Sequence, residues 1–370
     1  MPYVCTTRRR HGRRIPNSYQ GGDLALVDVT IKDVARAAGV SASTVSRVLS
    51  GNPKISPETQ EKVRLVLRNL KYHPHAGARS LVTGSSRTIG LVTSRPGAET
   101  FANPFFPEVI RGICSVLEVA GYNLVLSTAQ GEANQRKSCL DMLRSRHVDG
   151  VILTSSRLGD ELIDALVSEG RNFVLIGRPA DKAGNLSHPA VYAVNNDNIL
   201  AAAVATAHLV SGGHRRIAFV TGPQHWVYCY DRLQGYRQGL SQAGLPLDPA
   251  LVQQGNITQQ DGNRAVDRLF SLPEPPTAIL AMDDTLALGA LEAAQRRGLR
   301  VPADLAVAGF NDSPIASWTR PTLTTVRIPV FDLGAMAARM LAGLLDGTHA
   351  RPHQVILPSE IIIRESTAGN

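Results

Sequence analysis

The segment 42–49 (ASTVSRVL) combines helical spacing with a single cation. Its apolar residues fall on one face of a helix: Val45, Val48 and Leu49. Ala42, Ser43 and Arg47 project from the opposite side. The planar guanidinium of Arg47 can form two parallel hydrogen bonds to O6 and N7 of guanine, whereas alanine and serine offer only contact with a thymine methyl or one hydrogen bond. If this segment meets DNA, base recognition therefore depends mainly on Arg47; a solvated surface arginine is the alternative.

The residues around this segment predict two further helices. Thr30 is a candidate N-cap of the first helix, and Ser56-Pro57 opens the third with a cap followed by proline at the first helical position. Gly39 supplies the turn before Ser41, which caps the helix that carries Arg47. The apolar positions of the first and third helices are Ile31, Val34, Ala35, Ala38, Val63, Val66, Leu67 and Leu70. Two short helices joined by a glycine turn predict a helix-turn-helix, which places its second helix in a DNA major groove. The alternative is a helical subdomain of an enzyme.

Positive charge is concentrated at the N-terminal end of the 370-residue chain. The net charge is +8, of which residues 1–28 contribute +3 and residues 29–87 contribute +7, so that residues 88–370 sum to −2. This distribution is typical of a protein that binds a polyanion through a small basic segment. The arginine-rich residues 1–28 predict a disordered basic extension that adds DNA affinity without sequence choice, or an extension of no role.

The composition disfavours several classes of protein. Four cysteines, at positions 5, 114, 139 and 229, are too far apart for a C-x-x-C motif and suit reduced thiols rather than a disulfide framework. No apolar run reaches the length of a membrane span and no signal peptide is apparent, so we expect a cytoplasmic protein. P-loop, zinc-protease and nucleophile-elbow motifs are missing from the sequence. We therefore expect no catalytic residues, no metal and no cofactor.

After residue 87 the sequence alternates buried-strand runs with amphipathic helices. The predicted strands are TIGLVT, YNLVLST, DGVILTS, FVLIG, RIAFVTG, TAILAM and LAVAGF. Continuous apolar strands separated by helices predict parallel sheets covered on both faces. We expect two doubly wound lobes, one formed by about residues 88–190 and 322–337 and the other by about residues 197–320 and 338–365. A ligand cleft is expected between the carboxyl ends of their strands.

The strings TIKDVARAAGVSASTVSRVL, SPETQEKV and HPHAGARSLVTG resemble the DNA-binding headpiece of the lactose/galactose repressor (LacI/GalR) family. The likeness continues through NPFFPEVIRGI, HVDGVIL, GGHRRIAFVTGP, DRLQGYRQGL, DDTLALGAL, VPADLAVAGFND and PTLTTV. The resemblance implies an all-α helix-turn-helix headpiece at residues 29–74, a hinge helix and linker at 75–87, and an α/β two-lobed periplasmic-binding-protein-like effector domain with doubly wound parallel sheets at 88–370.

The same resemblance implies what such a chain does. It would be a sequence-specific transcriptional regulator, usually a repressor, that binds a double-stranded DNA operator as a homodimer. A small effector, typically a sugar or sugar derivative, would be bound between the lobes; a partner protein in place of the effector is one alternative. The other alternative is a solute-binding protein for transport, which shares the two-lobed cleft. Such a protein requires a signal peptide and does not require a DNA-binding segment such as residues 29–81.

Roles for single residues of the DNA-binding part also follow from the resemblance. Ala42, Ser43 and Arg47 would face base edges. Phosphate contacts that hold the register are implied for Thr30, Ser41, Thr44, Ser50 and Lys54. In the hinge, Leu81 would be the apolar wedge between base steps, and Arg79 would reach the minor groove. Family members often have asparagine at position 50, so the contact from serine is expected to be shorter or lost.

The implied effector site draws on several segments of the chain. Phe105 and Phe106 would stand at the pocket mouth, where flat apolar rings meet sugar rings or purines; core packing is the alternative. Arg232 would bind effector hydroxyls or carboxylates through charge-assisted hydrogen bonds. The remaining implied contacts are Trp226, Tyr228, Asp283 and Asn311. Packing for stability alone is the alternative for the tryptophan. Many family members carry aspartate at position 311, so asparagine there replaces a charged acceptor with a neutral amide.

Overall fold

The computed structural model describes residues 29–50, 52–72, 84–93, 97–129, 131–154, 156–348 and 353–368. The chain divides into two units, Met1–His75 and Ala76–Asn370. The predicted extension at residues 1–28 and the predicted hinge contacts of Arg79 and Leu81 lie outside the described residues. None of the described helices is long and apolar enough to cross a membrane.

The first unit contains the three helices that the sequence predicts, and these are α1 Ile31–Ala38, α2 Ala42–Leu49 and α3 Pro57–Asn69. Gly39 ends α1 in the left-handed conformation, with φ of 64°. The hydroxyl of Ser41 accepts a hydrogen bond from the Thr44 N–H (3.1 Å), and that of Ser56 accepts one from the Thr59 N–H (3.3 Å). The buried core of the unit consists of Val34, Ala35, Ala38, Val45, Val48, Val63 and Tyr72.

The C-terminal ends of α2 and α3 differ from the sequence prediction. Leu49, predicted on the inner face of α2, is 38% exposed. One residue along a helix is a rotation of about 100°, so Leu49 turns away from the face that Val48 buries. Tyr72, which the periodicity did not predict, is 9% exposed, and its N–H bonds the Leu67 carbonyl at 3.0 Å. The tyrosine ring therefore closes the core beyond the end of α3.

The second unit contains two sheets of six strands each. The strands of the first sheet are β1 Thr88–Val92, β2 Asn123–Ser127, β3 Gly150–Leu153, β4 Phe173–Ile176, β5 Ala193–Asn196 and β11 Gln354–Leu357. Their spatial order is β11-β5-β4-β3-β1-β2, and all neighbours are parallel. Leu91 and Ile152 belong to one buried cluster, whereas Val92 and Leu153 belong to another. Both faces of the inner strands are therefore buried, as their continuous apolar runs predict, whereas the edge strands β2 and β11 expose Val125 and Ile356.

The second sheet repeats this design. Its strands are β6 Ile217–Thr221, β7 Val252–Gln254, β8 Ala278–Ala281, β9 Ala306–Phe310, β10 Thr324–Arg327 and β12 Glu360–Ile362. Their order is β12-β10-β9-β8-β6-β7, and only β12 runs antiparallel to its neighbour. The helices of the second unit are α4 Gly97–Ala102, α5 Phe105–Ala120, α6 Glu132–Arg144, α7 Glu161–Ser168, α8 Asn198–Ser211, α9 Val227–Gln242, α10 Gln259–Leu269, α11 Asp284–Arg296, α12 Ile315–Trp318 and α13 Val330–Leu345, with a 3-10 turn at Pro249–Leu251.

The chain passes between the lobes at positions that differ from the predicted ones. Residues 322–337 were assigned to the first lobe. The start of α13 does pack there, on α5, but β10 pairs with β9 in the second sheet. Residues 338–365 were assigned to the second lobe. Strand β12 does pair with β10 there, but the rest of α13 packs on β3, β4 and β5, and β11 pairs with β5 in the first sheet. Strands as short and mixed as TTVR carry no local signal of their sheet, because the partner strand lies elsewhere in the sequence.

Glycines let three pairs of helices approach closely. A Cβ at Gly112 of α5 would lie 2.1 Å from the Phe331 carbonyl oxygen of α13. One at Gly235 of α9 would lie 2.1 Å from the Ile199 carbonyl oxygen of α8. One at Gly289 of α11 would lie 2.0 Å from a carbonyl oxygen of α10. In each case the obstacle is backbone, which cannot rotate away as a side chain could.

Replacing Gly289 with alanine is expected to lower the free energy of unfolding by about 1–3 kcal/mol, because overpacking forces α10 and α11 apart. Urea unfolding followed by far-UV circular dichroism measures this change. Gly212→Ala is the control, since φ there is −72° and the nearest atom to the added Cβ is 3.3 Å away. Equal destabilisation by the two substitutions would contradict the packing explanation.

Candidate nucleic-acid interface and ligand cleft

The outer face of α2 presents the residues that the sequence assigns to base recognition. Ser43 and Arg47 are exposed and Ala42 is half-buried, while Val45 and Val48 on the opposite face are buried. Arg47 forms no ion pair with any described residue. Two other arginines of the first unit do form one: Arg36 pairs with Asp33 (3.2 Å) and Arg68 pairs with Glu61 (3.1 Å). The guanidinium of Arg47 is therefore available to a partner outside the chain.

The residues predicted to contact phosphates differ in what they already bind. The Thr30 hydroxyl donates to Asp33 (2.6 Å), and the Ser50 hydroxyl donates to the Arg47 carbonyl (2.9 Å). Ser41 and Thr44 share a hydroxyl hydrogen bond of 2.9 Å. These hydroxyls cap and brace the helices, so they can meet a phosphate only by sharing or exchanging hydrogen bonds. The Lys54 side chain has no such bond within the described residues.

The second unit has an open cleft between its two lobes, with about 760 Å³ of empty space that includes open solvent. The first lobe contributes residues that follow β3 and β4, the end of β5 and the start of α5; the second lobe contributes residues of α9 and those that follow β8 and β9. Six of the predicted effector contacts line this cleft: Phe105, Phe106, Tyr228, Arg232, Asp283 and Asn311. The cleft therefore lies at the carboxyl ends of the strands, as expected for doubly wound sheets.

Trp226 does not line the cleft. Its ring is 7% exposed and lies 4.4 Å from the guanidinium of Arg157, on the other side of the lobe junction. Helix α9 begins at Val227, so Tyr228, Asp231 and Arg232 share one face of α9, at spacings of three and four residues. Trp226 precedes the helix; its ring stacks with that of Tyr228, with 6.5 Å between the ring centroids, and packs at the lobe junction.

Arg232 is a buried cation, with only 5% of the residue exposed. Its Nε donates to the Asn198 side-chain oxygen (2.9 Å), and its Nη1 donates to the Met282 carbonyl. The guanidinium lies 4.4 Å from the Phe310 ring, which faces it. Burial lowers the pKa of Arg232, and the negative charge of Asp283 opposes that effect. A guanidinium has five N–H donors, so Arg232 keeps donors for a ligand.

Asp283 joins the lobes through hydrogen bonds. One oxygen of its carboxylate accepts from the Thr285 N–H (2.7 Å) and so caps α11. The other accepts from the side-chain amides of Asn311 (2.9 Å) and of Asn103 (3.3 Å), which belongs to the first lobe. Asn103 also accepts a hydrogen bond from the Phe105 N–H (2.9 Å) at the start of α5.

A second connection between the lobes was not predicted from the sequence. Arg178, which follows β4, binds Asp231 of α9 through two hydrogen bonds, one of which joins Nε and Oδ2 at 2.8 Å. Burial raises the pKa of Asp231, and the two bonds from Arg178 oppose that rise. The side chains are only 18% and 3% exposed. Sequence offers no signal for this pair, because its members lie on different lobes.

Asp284 fixes the loop that carries Asn311. Its carboxylate accepts hydrogen bonds from the N–H and the hydroxyl of Ser313 (both 2.8 Å) and from the Thr325 hydroxyl (2.6 Å). Asn311 itself adopts a φ of 103°, in the region that non-glycine residues rarely occupy. Burial raises the pKa of Asp284 to about 7. The loop is therefore anchored at a buried carboxyl beside the cleft.

Comparison with known proteins gives a consistent result. The family model for "Bacterial regulatory proteins, lacI family" matches residues 30–75, and the model for "Periplasmic binding protein-like domain" matches residues 206–367. The HTH-type transcriptional repressor CytR of Escherichia coli (strain K12) is 35% identical over 338 residues, which cover 91% of this chain and 96% of that protein. A structure titled transcriptional regulator CelR-cellobiose complex is 34% identical, with a TM-score of 0.70 over 91% of this chain and 99% of that one. The lac repressor dimer bound to operator and the anti-inducer ONPF is 26% identical, with a TM-score of 0.78 over 92% and 99%.

The pKa of Asp284 predicts a pH-dependent stability. Because the folded-state pKa is about 7, above the ordinary value of 3.8, the folded chain binds the proton more tightly than the unfolded chain. The resulting stabilisation is full below about pH 4 and is lost as the pH rises towards 7. The difference in the midpoint temperature of thermal unfolding, wild type minus Asp284→Asn, is therefore expected to decrease from pH 5 to pH 8.

Asp304→Asn is the control for this experiment. Hydrogen bonds from Arg300 lower the pKa of Asp304 to about 2, so its titration is complete below this range. The midpoint temperature of the control variant should depend on pH as that of the wild type does. If the midpoint temperature of Asp284→Asn showed the same dependence on pH, Asp284 would not be the titrating group.

Proposed function

The chain belongs to the LacI family of bacterial regulatory proteins, and on that premise we propose that it represses transcription by binding operator DNA, under the control of a sugar or sugar derivative held between its two lobes. It is a DNA-binding transcriptional regulator and not an enzyme. We propose the operator, the effector and the residues that contact them.

The main observation behind the proposal is the exposed side chain of Arg47. It is exposed on the face of α2 opposite the buried Val45 and Val48, and it forms no ion pair within the described residues. Ala42 and Ser43 beside it are small, so a base edge can approach α2 closely. We assign base recognition to these three residues, with Arg47 contributing most. Phosphate contacts from Thr30, Ser41, Thr44, Ser50 and Lys54, and hinge contacts from Arg79 and Leu81, complete the proposed interface.

The chemistry of the cleft supports a small polar effector with an apolar face. Phe105, Phe106 and Tyr228 offer aromatic rings, while Arg232 offers donors and Asp283 offers acceptors. A relative of known structure binds cellobiose, which is a compound of this kind.

We further propose that the protein acts as a homodimer, as the lac repressor does in its complex with operator. Val119 of α5 is 90% exposed and Trp318 of α12 is 73% exposed. A second copy that covers α5 and the surface of the second lobe would bury both. Two headpieces would then meet a near-palindromic operator whose half-sites are about one helical turn apart.

Replacing Arg47 with alanine is expected to weaken operator binding about tenfold or more, because a bidentate arginine–guanine contact contributes about 1–3 kcal/mol. The probe is a fluorescent duplex that the wild-type chain selects from random sequences, titrated at fixed salt and compared with a scrambled duplex. Binding to the scrambled duplex should change little.

Arg68→Ala is the matched control, because Arg68 is an exposed arginine of the same unit that is already paired with Glu61. It should retain operator preference. Equal losses in both variants would indicate a general charge effect and contradict base reading by Arg47. A wild-type chain that selects no preferred duplex would contradict the proposed function itself.

A further inference from the structure

Four side chains form a row that runs from the first lobe to the ligand cleft: Arg157, Trp226, Tyr228 and Arg232. The guanidinium of Arg157 lies 4.4 Å from the centre of the Trp226 ring. The rings of Trp226 and Tyr228 stack with 6.5 Å between their centroids, and the guanidinium of Arg232 lies 5.9 Å from the Tyr228 ring. Each neighbouring pair is within the range of a cation–π or aromatic contact. The row therefore connects a cation of the first lobe with a cation at the cleft.

The backbone also pairs across the lobe boundary at the outer end of this row. Residues 156–158 follow β3 in the first lobe, whereas residues 225–227 lead into α9 in the second lobe. Two hydrogen bonds join these segments, from the Leu158 N–H to the His225 carbonyl (2.9 Å) and from the Val227 N–H to the Ser156 carbonyl (3.1 Å). They form an antiparallel bridge centred on Arg157 and Trp226. The same two residues thus carry both the ring contact and the backbone contact.

Each half of this contact is held by its own lobe. In the first lobe, Nη1 of Arg157 donates to the Gln135 side-chain oxygen (2.9 Å), and Nε pairs with Glu132 (3.0 Å). In the second lobe, the Trp226 ring packs on the His225 ring, with 5.1 Å between their centroids. If the lobes move apart, the arginine stays ordered on α6 and the tryptophan stays with its own lobe. The contact can therefore break and form again as one unit, as a two-state element must.

Tyr228 connects this contact to the contents of the cleft. It lines the cleft, whereas Arg157 and Trp226 do not. A ligand that tilts the Tyr228 ring changes its stack with Trp226, and Arg157 rests on the other ring of that stack. Arg157 and Trp226 are only 9% and 7% exposed, so water weakens their contact little and its loss is energetically significant.

We propose that Arg157 and Trp226, with the two backbone hydrogen bonds beside them, form a latch between the lobes, and that Tyr228 couples this latch to the contents of the cleft. The closed latch fixes the start of α9 against the first lobe, and the open latch lets it turn. Arg157 and Trp226 are positioning residues, because neither lines the cleft. This inference rests on the proposed function, in which the two-lobed unit controls operator binding.

Breaking the latch is expected to release both backbone hydrogen bonds together. In Arg157→Ala and in Trp226→Leu, the amide hydrogens of Leu158 and Val227 should exchange with solvent at least tenfold faster than in the wild type, because each is bonded to the opposite lobe. Hydrogen exchange of the full chain without ligand, followed by mass spectrometry, measures both amides. Arg157→Ala leaves the buried ring in place, so it tests the latch even if Trp226→Leu does not fold.

Tyr228→Ala tests the coupling in the same experiment. Removing the ring that stacks on Trp226 should also speed exchange of the Leu158 amide at least tenfold. Leu158 is the decisive position, because it lies on the other lobe from the substitution.

Arg136→Ala is the matched control. Arg136 lies on α6 and lines the same surface pocket as Arg157, but its ion-pair partner Glu161 belongs to the first lobe as well. This variant removes an equal charge without removing a contact between the lobes. It should match the wild type both in hydrogen exchange at the latch and in operator affinity.

The second measurement is the operator affinity of the full chain without effector, on the duplex that the wild type selects. Arg157→Ala and Trp226→Leu should each change the dissociation constant at least fivefold. The double variant should change it no further than the larger single change, because both substitutions break one contact. Trp226→Phe keeps a ring between Arg157 and Tyr228, so it should change the constant less than Trp226→Leu does.

The possible outcomes separate the inference from the proposed function. Wild-type exchange at both amides in Arg157→Ala would overturn the latch. Faster exchange with wild-type operator affinity would show that the row only packs, and so would additive changes in the double variant; either result overturns the inference. Wild-type exchange of the Leu158 amide in Tyr228→Ala would overturn the coupling to the cleft. A wild-type chain that selects no operator would instead overturn the proposed function, and the inference with it.

Discussion

The ion pair between Arg178 and Asp231 is the interaction on which the geometry of the cleft depends. Two charges buried away from water are tolerated only when they pair with each other in good geometry. Here a planar guanidinium donates two hydrogen bonds to one carboxylate. Because Asp231 lies on α9, this pair fixes that helix against the first lobe. Tyr228 and Arg232 are on the same helix, so the residues proposed to hold the effector are positioned by the contact that joins the lobes.

The second lobe positions its polar groups through two consecutive carboxylates with different tasks. Asp283 caps α11 and reaches Asn103 across the cleft, whereas Asp284 turns inward and holds the loop at Ser313. Both depend on the tight packing of α11, whose Gly289 allows α10 to come into backbone contact. The side chains at the cleft therefore extend from rigid helices and have few free rotamers. Because they are already ordered, they lose less conformational entropy when a ligand binds.

Much of this structure could be predicted from the sequence because its signals are local. Caps such as Ser41 and Ser56, the turn at Gly39 and the apolar strand runs depend on neighbouring residues, and each appears where it was predicted. Contacts between distant segments were missed. Neither the Arg178–Asp231 pair nor the placement of β10 and of the second half of α13 has a local signature.

The most direct measurement is the operator affinity of the full chain at fixed salt, with the cleft empty and with it saturated by a probe that calorimetry shows to bind. If a ligand held between the lobes controls operator binding, the dissociation constant for the operator will change by about 5- to 150-fold, and bound operator will change the affinity for the probe by the same factor. A probe that fills the cleft and leaves the operator affinity unaltered would show that the two sites are independent, contrary to what we propose.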